Sequence, residues 1–204
     1  MDTWQGLSAL VAERLKVVSA GERRVFAAGV AERLMRRHEA LPEDEQRPFT
    51  LSLRPLLDSV WEGVLGDTTA FSAVNRGVAE YMLGEYCHND GQDGPDDADE
   101  SAAAATLYAA HTYLFGCHDF AVWTSGRAVE AVDEHLQHLA ELEEEDDVLI
   151  GTDEALAAEL RRQLQDLDLI AAFSKELRHS GLGLPTDTAV RLRVELRAPL
   201  SGRG

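Results

Sequence analysis

Cysteine is scarce in this sequence, with only Cys87 and Cys117 among its 204 residues. Two cysteines are too few for a disulfide framework, and they lack the paired spacing of a zinc ribbon. The small disulfide-dense scaffolds of secreted proteins are therefore excluded, and a reducing compartment is expected.

Long hydrophobic runs are also missing. The most apolar stretch, residues 102–117, is too short to cross a bilayer and contains His111. Residues 1–15 mix acidic and basic side chains with apolar ones, unlike the apolar core of a signal peptide. We therefore expect a cytoplasmic protein that does not associate with a membrane.

The short motifs that identify common enzyme classes are absent. The sequence has no Walker A loop, no dinucleotide-binding glycine motif, no nucleophile elbow and no HExxH zinc helix. This absence makes a non-enzymatic protein the favoured expectation without excluding an enzyme, and no cofactor is predicted.

Basic residues are nearly absent from the middle third of the chain. Residues 81–154 contain 19 acidic residues and one basic residue, Arg127, which gives this segment a net charge of −18. Residues 1–80 contain 12 acidic and 10 basic residues, and residues 155–204 contain 6 and 8. The central segment therefore carries the whole imbalance, which argues against direct binding to nucleic-acid phosphates and favours a cationic protein partner.

The densest acidic run lies near the end of this central segment. We predict that it forms the partner-binding surface, with these residues: Glu141, Glu143, Glu144, Glu145, Asp146 and Asp147. Such a block of like charges repels itself and stays solvated, so it is available to attract a positively charged protein.

Apolar residues recur every three to four positions along most of the chain, as in helices that bury one face. The pattern predicts an all-α single-domain bundle of six or seven helices over residues 1–185. Ser19 and Glu22 form a capping box at the start of the second helix. Ser52 is the expected N-cap of the third helix, and a long seventh helix is expected from Asp153 to Ser180.

The C-terminal residues 186–204 form a separate arm or tail. Val190, Leu192, Val194 and Leu196 alternate with polar residues, and this period of two is typical of a half-buried strand. A lone strand has no partner in a helical domain. Pairing across a homodimer, an irregular arm, disorder and a short helix all stay open.

Four histidines are candidate metal ligands. His111 and His118 lie two turns apart on one helical face, about 10 Å along the axis, so one ion would need a further element between them. His135 and His138 have a spacing that suits two ligands on one face, but they lie in a very acidic polar region. The favoured interpretation is structural: a core histidine, a helix-end histidine and a solvated helix face.

The segment 86–100 combines Cys87 and His88 with clustered aspartates, glycine and proline. The aspartates do not follow the spacing of an EF-hand loop, and the thiol has no partner pattern typical of a nucleophile. We interpret this segment as a loop rather than as a calcium or catalytic site.

Two short motifs carry a resemblance to a known family. They are Ala31-Glu32-Arg33-Leu34 in the second helix and Leu57-Asp58-Ser59-Val60-Trp61-Glu62 in the third. With the acidic loop, the alanine-rich helix and the long closing helix, residues 7–185 resemble the YjaG-like bacterial domain family of unknown function. The resemblance implies an all-helical bacterial cytoplasmic protein, and it brings no catalytic residues. The aspartate-rich loop and the arginine-containing tail depart from the family.

The polar residues of these motifs have two interpretations. Glu32, Arg33, Asp58 and Glu62 are expected to form an inter-helix polar network that fixes the packing of the second and third helices. The alternative is a ligand pocket built from the same residues, with Trp61 as its apolar wall.

Three function hypotheses follow. The first is a non-enzymatic interaction protein, for instance an inhibitor or immunity protein, whose acidic segment docks a cationic partner. The second is a metal-dependent enzyme or metal-binding bundle that uses the histidines. The third is a small-ligand-binding regulator with its site near Trp61.

Overall fold

The computed structural model describes residues 3–84, 101–143, 152–178 and 186–196. These residues form a single all-α body and contain no strand. The helices are α1 (Trp4–Val17), α2 (Ala20–Glu39), α3 (Pro48–Ser52), α4 (Arg54–Val64), α5 (Ala70–Leu83), α6 (Ser101–Phe115), α7 (His118–Glu143), α8 (Thr152–Ala171), α9 (Ser174–Arg178) and α10 (Thr186–Glu195). Among the described residues, no helix is both long and apolar enough to cross a membrane.

Local capping sets the boundaries of the first two helices. The Thr3 side chain accepts a hydrogen bond from the backbone N–H of Gly6 at 3.2 Å and begins α1. The predicted capping box of α2 is confirmed: the Glu22 N–H donates to Ser19 Oγ at 3.3 Å, and the Ser19 N–H donates to the Glu22 carboxylate at 2.8 Å. The start of each of these two helices therefore follows from its own sequence.

The start of α4 differs from the prediction. Ser52 does not cap this helix but ends the short helix α3, and its hydroxyl donates to the carbonyl of Phe49. The N-cap of α4 is Leu53, which makes no side-chain capping bond. Pro48 and Pro55 each occupy a first helical turn, where a missing N–H costs no hydrogen bond. Two helices, each with a proline in its first turn, therefore replace the single predicted third helix.

Helix α2 is the central element of the bundle, because it packs against α4, α6, α7 and α8. Its residues are buried almost without interruption from Val25 to Met35. Helix α6 is buried along its first ten residues, six of which are alanine. Small side chains on both helices let the two backbones approach closely, and this places two long inner helices at the core.

The predicted long seventh helix is broken in the structure. Helix α8 ends at Ala171, and α9 begins at Ser174 after a turn in which the Phe173 N–H donates to the Ile170 carbonyl at 2.9 Å. The break redirects the chain so that Leu177 packs in the core against α2. A Cβ at Gly21 of α2 would collide with the Leu177 carbonyl, so this approach requires glycine.

Of the alternatives left open for the C-terminal segment, the structure shows a short helix for residues 186–195 and not an extended strand. Leu192 and Leu196 are four residues apart and fully buried, whereas Val190 and Val194 lie on the outer face. A period-two pattern this short also satisfies an i, i+4 helical spacing, so the pattern alone does not distinguish a strand from a helix. Leu196 packs so closely on Gly29 that a Cβ there would lie 3.1 Å from the Leu196 Cβ.

Candidate functional site

A buried ionic cluster joins α2 to α8. Arg33 donates to Asp166 at 2.6 Å and to Glu159 at 3.2 Å, and all three side chains are at most 3% exposed. Arg162 adds a second cation at 3.0 Å from Asp166. The cluster therefore holds two positive and two negative charges, and Glu159 and Asp166 reach Arg33 because seven residues separate them on one face of α8.

The amide of Gln163 extends this cluster towards α7. It donates to the Glu159 carboxylate at 3.1 Å, and its carbonyl oxygen accepts from the hydroxyl of Ser125. Burial lowers the pKa of Arg33, but the carboxylates of Asp166 and Glu159 outweigh it, so the pKa lies above its ordinary value. The guanidinium therefore stays charged, and the cluster is a structural device rather than a site open to solvent.

A second polar network joins α2 to α4. The Glu32 carboxylate accepts from the Trp61 indole N–H at 3.2 Å and from Arg54 at 2.8 Å. Arg54 also donates to both carboxylate oxygens of Glu39, at 2.6 and 2.7 Å, and lies 3.8 Å from Asp58. Of the residues expected to join these two helices, Glu32 and Asp58 take part in this network, and its centre is Arg54.

The remaining motif residues do not converge. Arg33 faces α8 rather than α4, Asp58 is half exposed, and Glu62 lies on the surface. Trp61 is fully buried, and the Arg193 guanidinium of α10 lies 5.9 Å from the centre of its ring. Trp61 therefore lies in the protein interior and does not form the wall of an open pocket.

A groove does lie on the other side of α4, between α3, α4 and α5. Its volume is about 760 Å³, and Phe49, Leu56 and Tyr81 supply apolar walls while Arg76 and Glu80 line its rim. A Cβ at Gly77 would lie 2.9 Å from the Leu56 side chain, so glycine allows α5 to approach α4. The groove has the size of a small-ligand site.

The candidate histidines are dispersed. The His111 ring bonds through Nδ1 to the Leu107 carbonyl at 2.7 Å and stacks on Phe120, while His135 and His138 lie further along α7. His118 instead lies beside Cys117 and Asp119, and one ligand atom from each of these three residues lies within 4.8 Å of the others. Within the part of the chain that the structure describes, this is the only such grouping of three metal-ligating residues.

The turn between α6 and α7 also exposes an aromatic ridge, which we define as Phe115, Phe120 and Trp123. The ring centres of Phe115 and Phe120 are 6.3 Å apart, and those of Phe120 and Trp123 are 5.2 Å apart in an edge-to-face arrangement. Phe115 is 67% exposed and Trp123 is 47% exposed. Contiguous exposed aromatic rings are unusual on a free surface and are typical of interfaces.

The acidic segment is described only in part. Glu141 and Glu143 lie in the last turns of α7, whereas Glu144, Glu145, Asp146 and Asp147 lie outside the described residues. Cys87, His88 and the aspartate-rich loop also lie outside them.

Earlier along α7, three carboxylates form what we call the acidic face: Glu130, Asp133 and Glu134. Arg127 lies 2.9 Å from Glu130 and is thus paired within its own helix. Partial burial and then the charge of Glu130 raise the pKa of Glu134, against the opposing effects of Arg37 and Arg127. Burial and like-charge repulsion therefore outweigh the nearby cations at this position.

The chain matches no family model, no curated protein and no solved structure.

Sequence reasoning did not identify Glu159 and Asp166 as partners of Arg33, or Gln163 as the residue that bonds to Glu159 beside them. Their spacing of i, i+4 and i+7 on one face was a readable signal, since polar residues on an inner helical face must find partners. The exposed ridge carried a weaker signal, because an aromatic residue on a helix is more often buried than exposed.

Proposed function

We propose that this protein is a non-enzymatic helical interaction protein that binds a cationic protein partner through the acidic residues of α7 and the acidic run that follows. The single observation that carries the proposal is charge segregation along the sequence: residues 81–154 contain 19 acidic residues and one basic residue. That basic residue, Arg127, is paired with Glu130. The likeness to the YjaG-like family remains part of this proposal and adds no activity to it.

The energetics of charge favour a partner over a purely structural role for these carboxylates. Exposed carboxylates remain hydrated, so they neither stabilise nor anchor the fold to any great extent. Their summed field instead accelerates encounter with a positively charged protein, and it excludes negatively charged surfaces. An inhibitor or immunity protein that covers a basic active surface is one role that fits this design.

The test is a binding experiment on a matched pair of proteins. One variant converts the acidic run to amides, through Glu141→Gln, Glu143→Gln, Glu144→Gln, Glu145→Gln, Asp146→Asn and Asp147→Asn. The control variant neutralises carboxylates outside the central segment, through Glu43→Gln, Asp44→Asn and Glu45→Gln.

Cross-linking at low salt identifies bound proteins, and each one is then purified and titrated against both variants. We expect a basic partner whose affinity falls about tenfold or more for the acidic-run variant and with rising salt, because both changes weaken the same attraction. A partner that binds both variants equally, or the absence of any partner, would contradict the proposal.

A second candidate function is metal binding, supported by the grouping of Cys117, His118 and Asp119. Cys117 Sγ lies 3.5 Å from an Asp119 carboxylate oxygen, and His118 Nε2 lies 3.0 Å from the other. Ligand atoms around a tetrahedral zinc ion are separated by roughly 3.3–3.7 Å, as follows from its bond lengths. The Cys117–Asp119 distance falls in this range and the His118–Asp119 distance is shorter, and all three ligand atoms lie within 4.8 Å of one another. Side-chain rotation would therefore bring the three residues onto one ion.

Cobalt(II) titration tests this candidate, since a thiolate ligand produces an intense near-ultraviolet absorption band. The band should appear with one equivalent of metal and disappear in Cys117→Ser and His118→Ala, while His138→Ala serves as the control on the same helix. Elemental analysis without stoichiometric metal, together with no cobalt band, would eliminate this function.

A further inference from the structure

The aromatic ridge lies within the acidic segment, and this position bears on what the surface recognises. Residues 101–143 include Phe115, Phe120 and Trp123 together with six acidic residues and one basic residue. A surface that combines aromatic faces with carboxylates suits a cation that is also planar and weakly hydrated.

A shallow hollow beside Trp123 shows how such a cation would be held. The hollow has a volume of about 230 Å³ and is lined by Ser8 and Ala12 of α1 and by Trp123, Gly126, Arg127 and Glu130 of α7. Gly126 leaves open space, since a Cβ there would meet nothing within 4 Å. Trp123 and Glu130 therefore line the same hollow, seven residues apart on one helical face.

Arg127 is the resident cation of this hollow. It lies 2.9 Å from Glu130, so the carboxylate that would receive an incoming cation is already engaged by a guanidinium of the same helix. The Arg127 side chain is 24% exposed and the Glu130 side chain is 48% exposed, so solvent reaches the carboxylate and an incoming guanidinium can compete with Arg127 for it.

We propose that the ridge and this hollow seat an arginine side chain of the cationic partner, stacked on Trp123 and directed towards Glu130. The inference rests on the proposed function and adds the chemistry of the contact: arginine is selected over lysine. A guanidinium stacks on an aromatic face and can bond a carboxylate through two N–H groups, whereas an ammonium remains a strongly hydrated point charge.

The ring geometry supports the ridge as a rigid anchor. Trp123 packs against the buried Tyr108, with ring centres 5.4 Å apart, and against Phe120 in an edge-to-face contact. Aromatic side chains held in this way lose little conformational entropy on binding, which is typical of residues that dominate an interface.

The test uses two ten-residue peptides, one of arginine and one of lysine, titrated at low salt into the full chain by calorimetry. We expect the arginine peptide to bind more tightly to the wild type. Trp123→Leu and Phe115→Ala should each weaken arginine-peptide binding, by about three- to tenfold for Trp123→Leu, which is the size of one cation–π contact. Trp123→Leu should also remove the preference for arginine.

Two further variants sharpen the result. Phe71→Ala removes a ring of similar exposure, 51%, from α5 outside the acidic segment, and it should leave binding of both peptides unchanged. Arg127→Gln removes the resident cation and should strengthen arginine-peptide binding. Circular dichroism and a thermal melt establish that each variant is folded. If Trp123→Leu does not fold, Phe115→Ala, at an exposed position, still tests the ridge.

The outcomes separate the inference from the proposed function. The arginine site is wrong if both peptides bind equally well and the ridge variants have no effect. The acidic interaction nevertheless stands in that case if neutralising the acidic run still weakens binding. If neither peptide binds and no basic partner is captured, both proposals are wrong. Loss of arginine selectivity confined to the ridge variants would support the inference.

Discussion

Two groups of charge among the described residues are built in opposite ways. In the ionic cluster between α2 and α8, Arg33 and Arg162 balance Glu159 and Asp166, and the central side chains are buried. On the acidic face of α7, three carboxylates have Arg127 as the one basic residue of their own helix. The ionic cluster is electrically balanced and its central side chains are buried, whereas the acidic face is negative and exposed to water.

The difference follows from the cost of removing charge from water. A buried ion without a partner costs several kcal/mol, so interior charges occur in balanced sets whose members hold one another in place. An exposed carboxylate carries no such cost and needs no partner for the fold. Unbalanced charge on the surface is therefore free to serve association, whereas the balanced interior serves packing.

Removing the central cation should break the interior group most severely. Arg33→Met leaves Glu159 and Asp166 buried with Arg162 alone, and we expect the free energy of unfolding to fall by about 3–5 kcal/mol. Urea denaturation measures this loss. Arg36→Met, at an exposed position of the same helix, should change the stability by less than about 0.5 kcal/mol. Equal effects of the two variants would show that the cluster is not the anchor.

Neutralising one buried carboxylate should have a smaller effect. Glu159→Gln preserves the shape of the side chain but leaves Arg33 with Asp166 as its one acidic partner, and we expect a loss of about 1–3 kcal/mol. The matched substitution Glu154→Gln on the surface of α8 removes an exposed ion pair with Arg161 and should cost less than about 1 kcal/mol. Denaturation midpoints of the two variants compare interior and surface on one helix.

The smallest effect, and one of opposite sign, is expected on the acidic face. Because the pKa of Glu134 is raised in the folded protein, ionisation of this group opposes folding. Its contribution to stability is therefore full below its ordinary pKa and is lost as the pH rises through the raised value. Glu134→Gln should thus stabilise the protein at pH 7 by at most about 0.5 kcal/mol, after allowance for solvent screening, and make no difference at pH 3.

Thermal melts at both pH values measure this effect, with Glu43→Gln, outside the helices, as the control. Destabilisation by Glu134→Gln at neutral pH would mean that this carboxylate supports the fold.

The elements that sequence predicted correctly depend on neighbours along the chain. The capping box of Ser19 and Glu22 is set within a few residues and is observed. The prediction of a helical bundle likewise followed from periodicity that each helix carries by itself.

The parts that sequence could not predict depend on distant partners. Arg33 lies 126 residues before Glu159 and 133 before Asp166, and only the packing of α8 on α2 brings them together. The helical form of residues 186–195 also depends on burial of Leu196 against Gly29, because their local pattern suits a strand equally well. For the candidate site, residue type indicated the acidic segment, but exposure of Phe115 and Trp123 required the fold.

The central claim is that the carboxylates of α7 serve association and not folding. Its most direct test is calorimetric titration of the arginine peptide into the triple variant Glu130→Gln, Asp133→Asn, Glu134→Gln at two salt concentrations. We predict a folded protein whose affinity is about tenfold or more below that of the wild type at low salt, with a weaker salt dependence. Unchanged affinity and an unchanged salt dependence in the folded triple variant would contradict the claim.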